Sequence, residues 1–329
     1  MAESVTLNHQ DRQVLHALQL DGRASFTRIA AVLGLSERAV SRRYHRLRSR
    51  LALRVVGLTR DESQNEEWFL RIMAPSGSSD GLMRALAERD DTSWVAVLAG
   101  DGGISCILRL PTEARDGATA LERFRRSAGI ATVSAQRLLT PVAGVGGWPG
   151  RLEALTPEEQ DALRPDAPSK DETEQWPSPA LSNSDIHLLR LLAVDGRMSS
   201  ARLARATGVP ETTVRRRIAE LTNRGTLMFE VEIDPKLYGR NLDVICWMEI
   251  QPAALSTISQ ALRSHSEVAF ASTTTGRTQI LAILEFTDVG DLHQYLVERI
   301  GVLPGINSVH TEIVTRWIKR AGTLVVPPR

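Results

Sequence analysis

The sequence predicts an α+β protein that contains one unit twice, each unit a winged-type helix-turn-helix (HTH) domain followed by a ferredoxin-like βαββαβ domain. Three observations support this: an internal repeat, an HTH spacing in each copy, and one order of strands and helices after both. A shift of 174 positions pairs residues 9–50 with 183–224 without a gap and with 16 identities. A shift of 176 then pairs Gly100 with Gly276. A repeat of this length indicates two copies of a whole unit.

The domain boundaries follow from the repeat and from composition. Residues 141–181 are rich in Pro and Gly, and from Glu153 to Gln175 they hold eight acidic residues against two basic ones, which is typical of a linker. Thr156 as N-cap and Pro157 at the first helical position predict one short helix there. The predicted domains are HTH domains at 1–56 and 182–230, and ferredoxin-like domains at 57–140 and 231–329.

Three short helices are predicted in the first HTH domain. Asn8 caps the first helix, which ends at Gly22. Ser25 caps the second, Gly34 ends it, and Ser36 caps the third. The apolar stripe of the third helix, which we expect to be buried, is Val40, Tyr44 and Leu47. The same pattern recurs in the second copy.

The spacing of a small residue, a glycine and a valine predicts the HTH turn itself. A small residue lets two helices approach, glycine permits the positive φ of a tight turn, and valine packs the third helix back onto the first two. The sequence places these residues at Ala30, Gly34 and Val40, and again at Ala204, Gly208 and Val214.

The face of the third helix opposite the buried stripe is the predicted DNA-recognition surface. In the first HTH domain the predicted DNA-binding residues are Ser36, Arg38, Ser41, Arg42, His45 and Arg46. In the second they are Thr212, Thr213, Arg215 and Arg216. Ala219 lies on the same face of the second copy.

The first recognition helix lies in the stretch LSERAVSRRYHRLRSR, which has six arginines. A charge-rich helix can also be a solvated surface, but the HTH spacing favours contact with DNA. Residues 9–56 carry a net charge of +7 and residues 183–230 a net charge of +3, so we expect the second domain to bind the phosphate backbone more weakly. Arg43 and Arg217 lie beside the buried stripes, where either a structural role or a phosphate contact is open.

Each HTH domain is followed by a βαββαβ pattern, which predicts a ferredoxin-like sandwich. In the first copy the predicted strands are 66–73, 93–99, 104–110 and 132–139, with helices at 80–89 and 113–127. In the second copy they are 243–250, 267–274, 278–286 and 308–315, with helices at 254–264 and 289–300.

The second copy resembles the Lrp/AsnC family of feast/famine transcriptional regulators in SDIHLLRLLAVDGRMSSARLARATGVPETTVRRRIAEL, in the following GTLMFEVEIDPKLYG, and in LPGINSVHTEIVT. The first copy is a divergent version. The resemblance implies an HTH domain joined through a strand to a ligand-sensing domain, whose sheets pair two chains into dimers that assemble further. It also implies double-stranded DNA and a small-molecule effector, such as an amino acid, as partners. One chain here looks like a fused dimer, and we expect a homodimer or larger homo-oligomer.

The resemblance places the effector near a loop of the form Thr-Gly-x-x-Asp between the second and third strands. The corresponding residues, which are the predicted effector-binding residues, are Gly100, Asp101, Thr275, Gly276 and Gln279. Gly103 and Gln279 replace the usual acidic residue, so Asp101 would have to pair with an ammonium group, and amino-acid sensing is less well supported. The alternative is that these glycines only form hairpin turns.

Two other functions fit the sequence less well. Some proteins that resemble this family are siroheme decarboxylases, and the candidate histidines for such chemistry are His265, His293 and His310. An adaptor that binds another protein through exposed sheets is the other alternative. We predict no catalytic residue, no metal ligand and no cofactor.

Composition bounds the class of protein further. The net charge is +1, so the whole chain indicates no partner by charge alone. Cys106 and Cys246 are too far apart in sequence to suggest a disulfide framework or a metal site, and we expect reduced, packed thiols. No signal-like N-terminus and no apolar run of about 18 residues occurs, so we expect a cytoplasmic protein without a membrane partner.

Overall fold

A computed structural model describes residues 7–49, 53–59, 65–73, 79–100, 103–111, 121, 122, 124, 126, 130–144, 154–164 and 181–320. These residues belong to two compact units. Unit 1 comprises residues 1–61 and 146–237, and unit 2 comprises residues 62–145 and 238–329. Unit 1 therefore holds both HTH domains, and unit 2 holds both ferredoxin-like domains.

The elements of the first half are α1 (His9–Leu20), α2 (Phe26–Leu33), α3 (Glu37–Ser49), β1 (Leu53–Thr59), β2 (Asn65–Met73), α4 (Ser79–Glu88), β3 (Thr92–Leu98), β4 (Ile104–Pro111) and β5 (Thr132–Ala143). The linker contributes α5 (Pro157–Leu163). The elements of the second half are α6 (Asn183–Val194), α7 (Ser200–Thr207), α8 (Glu211–Asn223), β6 (Leu227–Ile233), β7 (Leu242–Ile250), α9 (Leu255–Arg263), β8 (Val268–Thr274), β9 (Ile280–Phe286), α10 (Val289–Tyr295) and β10 (Ile306–Trp317).

The predicted helix caps of unit 1 are confirmed. The Asn8 side chain accepts a hydrogen bond from the backbone N–H of Asp11, and the Asp11 side chain accepts one from Asn8, which forms a capping box. Ser25 caps α2 through its side chain. Gly34 and Gly208 end α2 and α7 with φ of 63° and 73°, the left-handed conformation that glycine adopts without strain.

A two-stranded sheet, which the sequence did not predict, joins the two HTH domains. Strands β1 and β6 pair antiparallel, from Leu53 opposite Ile233 to Thr59 opposite Leu227. Leu53 and Leu227 are fully buried. The strand that leaves each HTH domain therefore completes a hydrogen-bonded ladder with the strand of the other copy.

The Asp-Gly-Arg runs that are identical in the two copies form a reciprocal contact between the HTH domains. Arg23 Nη1 donates a hydrogen bond to the carbonyl oxygen of Gly196 at 2.5 Å. Arg197 donates in the opposite direction, to Gly22 O at 2.8 Å and to Ala24 O at 2.9 Å. A Cβ at Gly22 would lie 2.7 Å from the Cβ of Phe229, so the contact leaves no room for a side chain there.

Unit 2 is one closed antiparallel sheet in the order β10-β3-β4-β2-β5-β8-β9-β7, with β7 pairing back to β10. The order within each copy is ferredoxin-like, as predicted. The copies meet where β10 pairs with β3 and where β5 pairs with β8. The two ferredoxin-like domains thus pair within one chain. The expected homodimer or larger homo-oligomer stays a prediction.

Several predicted elements differ from the observed ones at their ends. Strands β5 and β10 run to Ala143 and Trp317, beyond their predicted ends, because their last residues pair with the other copy, for example Ala143 with Ala271. In the ferredoxin-like domain of copy two, the predicted helix at 289–300 is α-helical only to Tyr295, and a π-helical turn follows over Leu296–Ile300. The predicted helix at 113–127 lies almost wholly outside the described residues.

Unit 2 has a hydrophobic cluster on the helix side of each copy and a third cluster between the two copies' strands. Cys106 lies in the helix-side cluster of copy one and Cys246 in that of copy two. Both thiols are free and buried, as predicted, and burial raises the pKa of each to about 12. The third cluster includes Phe69 and Trp247, whose rings meet edge to face with centroids 5.9 Å apart.

Among the helices that can be described, none combines the length and apolar character needed to cross a bilayer. Within the described ranges, no group of three or more His, Cys, Asp or Glu side chains is placed to hold a metal ion.

Candidate nucleic-acid interface

The third helix of the first HTH domain, α3, is oriented by its buried stripe. Val40 and Leu47 are fully buried and Tyr44 is 3% exposed, as predicted. The Ser36 hydroxyl, a predicted DNA contact, accepts a hydrogen bond from the backbone N–H of Ala39 at 3.2 Å and so caps the helix. Because one stripe is fixed in the core, the opposite face is presented to solvent.

The exposed face of α3 carries two arginines that have no partner among the described residues. The side chains of Arg38 and Arg42 are exposed and make no hydrogen bond or ion pair with any residue that the structure describes. Beside them, Ser41 is half-buried and His45 is exposed. The His45 ring lies edge to face with Tyr44, with centroids 5.4 Å apart. This face therefore offers two guanidinium groups that are unpaired within the described part of the chain, a hydroxyl and an imidazole.

Asp11 on α1 holds two further arginines of α3. Its Oδ1 lies 2.9 Å from Arg43 Nη1 and 2.6 Å from Arg46 Nη2, and the Asp11 side chain is only 1% exposed. Arg43 therefore has a structural role, since it joins α3 to α1. Arg46, a predicted DNA-binding residue, keeps 44% of its side chain exposed while it is paired.

In α8 of the second HTH domain, all three consecutive arginines are paired with carboxylates. Arg215 bonds Glu211 at 3.1 Å, and Arg216 bonds Glu220 one turn later. Arg217 bonds both Asp185, at 2.7 Å, and Glu220, at 3.0 Å. The remaining predicted contacts, Thr212 and Thr213, are exposed and half-buried, respectively.

The pair of Asp185 and Arg217 is the counterpart of Asp11 and Arg43 in the first copy. Burial by itself raises the pKa of Asp185, but hydrogen bonds from Arg217 and Ser182 outweigh burial and lower the pKa to about 2. The carboxylate is therefore ionised at neutral pH and fixes α8 against α6. Asp11 and Asp185 are equivalent positions of the internal repeat. The sequence did not predict that each would bond the arginine 32 residues later.

The predicted effector loop of copy two is bonded to strand β5 of copy one. Thr275 Oγ1 accepts a hydrogen bond from the backbone N–H of Arg137 at 2.9 Å, and Gln136 Nε2 donates one to Thr278 Oγ1 at 2.8 Å. Gly276 has a φ of 100°, as a tight turn requires. Gln279 Oε1 accepts from Ile250 N–H at 2.7 Å, so its amide is used inside the protein.

The predicted effector loop of copy one lies partly outside the described residues. Gly100 is exposed, and Asp101 lies outside the described residues. A Cβ at Gly103 would lie 3.2 Å from the sulfur of Met73, which is tight. The effector-binding residues of both copies stay predictions.

Of the three histidines considered for catalysis, His265 and His310 lie on opposite faces of the sheet of copy two. His265 Nδ1 lies 2.9 Å from the hydroxyl of Tyr295, which belongs to the helix-side cluster, and burial lowers the pKa of this imidazole. The His310 ring lies tilted against that of Trp247, with centroids 5.5 Å apart, and Trp247 belongs to the cluster between the copies. His293 is exposed on α10. The structure does not bring these three side chains together.

The arrangement described above is that of an HTH regulator with a separate ligand-binding fold, and comparison with known protein families agrees. Residues 7–48 and 181–222 each match the AsnC-type helix-turn-helix domain, and residues 243–324 match the Lrp/AsnC ligand binding domain. An uncharacterised HTH-type transcriptional regulator of Pyrococcus horikoshii is 31% identical over 143 residues, which cover 43% of this chain and 90% of the relative. The chain belongs to the Lrp/AsnC family of transcriptional regulators.

One further relative is a transcriptional regulator, and one protein of similar structure is an enzyme. The HTH-type transcriptional regulator Ptr1 of Methanocaldococcus jannaschii is 29% identical over 147 residues, 44% of this chain and 99% of that protein. The crystal structure of the siroheme decarboxylase NirDL superimposes with a TM-score of 0.65 and 11% identity, over 95% of this chain and 93% of the other. At this identity the second likeness shows a common tandem fold and nothing about activity.

Proposed function

We propose that this regulator binds double-stranded DNA in a sequence-specific manner through α3 and α8, and that α3 supplies most of the affinity. The observation that carries the proposal is the difference in pairing between the two helices. Arg38 and Arg42 have no partner among the described residues, whereas Arg215 and Arg216 are each paired with a carboxylate. An unpaired guanidinium can bind phosphate or a guanine edge without first losing a partner.

Glu220 explains why the second HTH domain would bind less strongly. It occupies the position of Arg46 in the first copy, and it bonds both Arg216 and Arg217. A carboxylate near the recognition face also repels the DNA backbone. The difference in net charge between the two copies has the same direction.

Replacing Glu220 tests this account of α8. We expect Glu220→Gln to raise the affinity for operator DNA about three- to tenfold, because Arg216 is released and a negative charge is removed. The measurement is a fluorescence-anisotropy titration against DNA from the chain's own promoter region, at a fixed salt concentration. Glu298→Gln removes an equal charge from unit 2 and serves as the control.

An equal effect of Glu220→Gln and Glu298→Gln would contradict the role given to Glu220. Failure of the unaltered chain to prefer its promoter DNA over DNA of scrambled sequence would contradict the proposed function itself.

We also infer that a small metabolite bound to unit 2 modulates this regulator. The match of residues 243–324 to a ligand binding domain supports this. The hydrogen bonds that hold Thr275 and Gln279 within the protein weigh against a site made by those two side chains alone. A change in the DNA titration on addition of single amino acids would support an amino-acid effector, and no change with any of them would contradict it.

We further infer that the chain is not an enzyme. Its regulator relatives support this, as does the separation of His265 and His310 by a sheet. We expect the purified protein to cause no change in the absorption spectrum of siroheme. A saturable spectral change followed by loss of carboxyl groups from siroheme would contradict this inference.

A further inference from the structure

Helix α5 packs against α1 and α2 of the first HTH domain and covers their outer face. Leu163 is fully buried and Leu155 is 7% exposed. The backbone N–H of Ala154 donates a hydrogen bond to His16 Nδ1 at 3.2 Å. Arg28 Nη2 donates to the carbonyl oxygens of Ala162 and Arg164, both at 2.9 Å. In the first HTH domain, this face is therefore covered by a segment that makes both apolar contacts and hydrogen bonds to it.

The repeat identifies the equivalent face on the second HTH domain. The copy-one residues on this face, His16, Gln19, Leu20, Arg28 and Val32, align with Arg190, Ala193, Val194, Arg202 and Ala206. In the first copy His16 and Gln19 are buried, whereas in the second Arg190 and Arg202 are exposed. No described segment of the chain covers the second face in the way α5 covers the first.

This face of the second HTH domain exposes two apolar side chains that lie in line along α6. Ile186 is 38% exposed and Val194 is 72% exposed. Together with Arg190 they are spaced four residues apart on α6, so they form one stripe. Surface valine or isoleucine residues are common singly, but an aligned stripe at a position that is covered in the sister copy indicates a binding surface.

Charge defines the occupant that this face suits. Arg28 is kept in the second copy as Arg202, and His16 is replaced by Arg190. Neither Arg190 nor Arg202 has a side-chain partner among the described residues. The helix that covers the first copy carries Glu158, Glu159 and Asp161, and it buries Leu163 at its end together with Leu155, which precedes the helix. The second face carries two exposed arginines, and the first also carries two arginines, Arg12 and Arg28, so an acidic helix complements the charge of the second face as well.

We propose that the outer face of the second HTH domain, formed by Ile186, Arg190, Val194, Arg202 and Ala206, binds an acidic amphipathic helix of a partner protein. The apolar side chains of that helix pack on the apolar stripe, and Arg202 bonds the carbonyl oxygens at its C-terminus, as Arg28 does in the first copy. This face lies opposite the α6 residues that pack against α8, namely Leu188 and Leu192. The partner helix and DNA can therefore bind at the same time.

The test uses the full chain and a fluorescent peptide with the sequence of residues 153–165 as the probe. We expect saturable anisotropy with a dissociation constant of about 10 to 100 µM, as befits a short helix on a small surface. Arg202→Glu and Val194→Asp, both at exposed positions, should each weaken binding at least about tenfold. Arg224→Glu, also exposed and outside this face, is the matched control and should leave binding unchanged.

Other results would overturn the proposal. One is the absence of saturable binding up to about 1 mM peptide. Another is a loss of binding in Arg28→Glu but not in Arg202→Glu, which would mean that the peptide only exchanges with α5 on the first domain. Circular dichroism of each variant establishes that the fold is kept. None of these outcomes depends on DNA binding, so the proposal and the proposed function fail separately.

Discussion

Arg42→Ala should weaken binding to operator DNA by about 10- to 100-fold, which corresponds to about 1 to 3 kcal/mol for one arginine that reads a base edge. The reason is that Arg42 stands exposed on α3 with no partner among the described residues, so its full bonding capacity is available to DNA. The measurement is an anisotropy titration at several salt concentrations. If Arg42 also neutralises a phosphate, the slope of log affinity against log salt should fall by about one.

The matched comparison for Arg42 is its repeat equivalent, Arg216. We expect Arg216→Ala to cost about threefold or less, because Arg216 must leave Glu220 before it can contact DNA. Arg84→Ala removes the same charge from the exposed side of α4 in unit 2 and should have no measurable effect. Equal losses for Arg42→Ala and Arg216→Ala would contradict the dominance of α3, and equal losses for Arg42→Ala and Arg84→Ala would mean that only net charge matters.

Arg197→Ala should lower the free energy of unfolding of unit 1 by about 2 to 4 kcal/mol. The guanidinium of Arg197 donates to two carbonyl oxygens of the first HTH domain, which the variant leaves unsatisfied. It also lies over the rings of Phe26 and Tyr44, with its Cζ 4.8 Å and 5.2 Å from their centroids. Urea unfolding followed by circular dichroism measures the change.

Arg23 provides the internal comparison for this effect. It makes the reciprocal hydrogen bonds, but among the described residues it lies over one ring, that of Phe229, at 5.5 Å. We therefore expect Arg23→Ala to cost less than Arg197→Ala, by about 0.5 to 1 kcal/mol. Arg205→Ala, at an exposed position on α7, should change stability by no more than about 0.5 kcal/mol. The reverse order of Arg23 and Arg197 would contradict the importance of the aromatic contacts.

The connection between the two HTH domains has a consequence for DNA recognition. Because β1 pairs with β6 and the Asp-Gly-Arg runs bond reciprocally, α3 and α8 belong to one compact unit. Here one polypeptide supplies both recognition helices with different side chains, and an operator with two unlike half-sites fits this arrangement.

The predictions that held concern features encoded over a few residues. The caps at Asn8 and Ser25, the left-handed turns at Gly34 and Gly208, and the buried stripe of Val40, Tyr44 and Leu47 were all correct. Each depends on a short-range hydrogen bond, on a backbone preference or on the helical period, and all of these can be read from neighbouring residues. The pairing of Arg216 with Glu220, four residues apart, was equally local and could have been found.

The sequence by itself determined the repeat, the HTH domains and the face of each recognition helix, because helical periodicity fixes which side chains share a face. Only the tertiary structure decided which arginines are free. Asp11 pairs with Arg43 and Arg46, Arg197 bonds the first HTH domain, and Arg28 bonds the end of α5. Each of these partners lies more than 30 positions away in the chain. The strength of an ion pair depends on distance and burial, and for partners in different elements both are set by the packing of helices and strands rather than by spacing in the sequence.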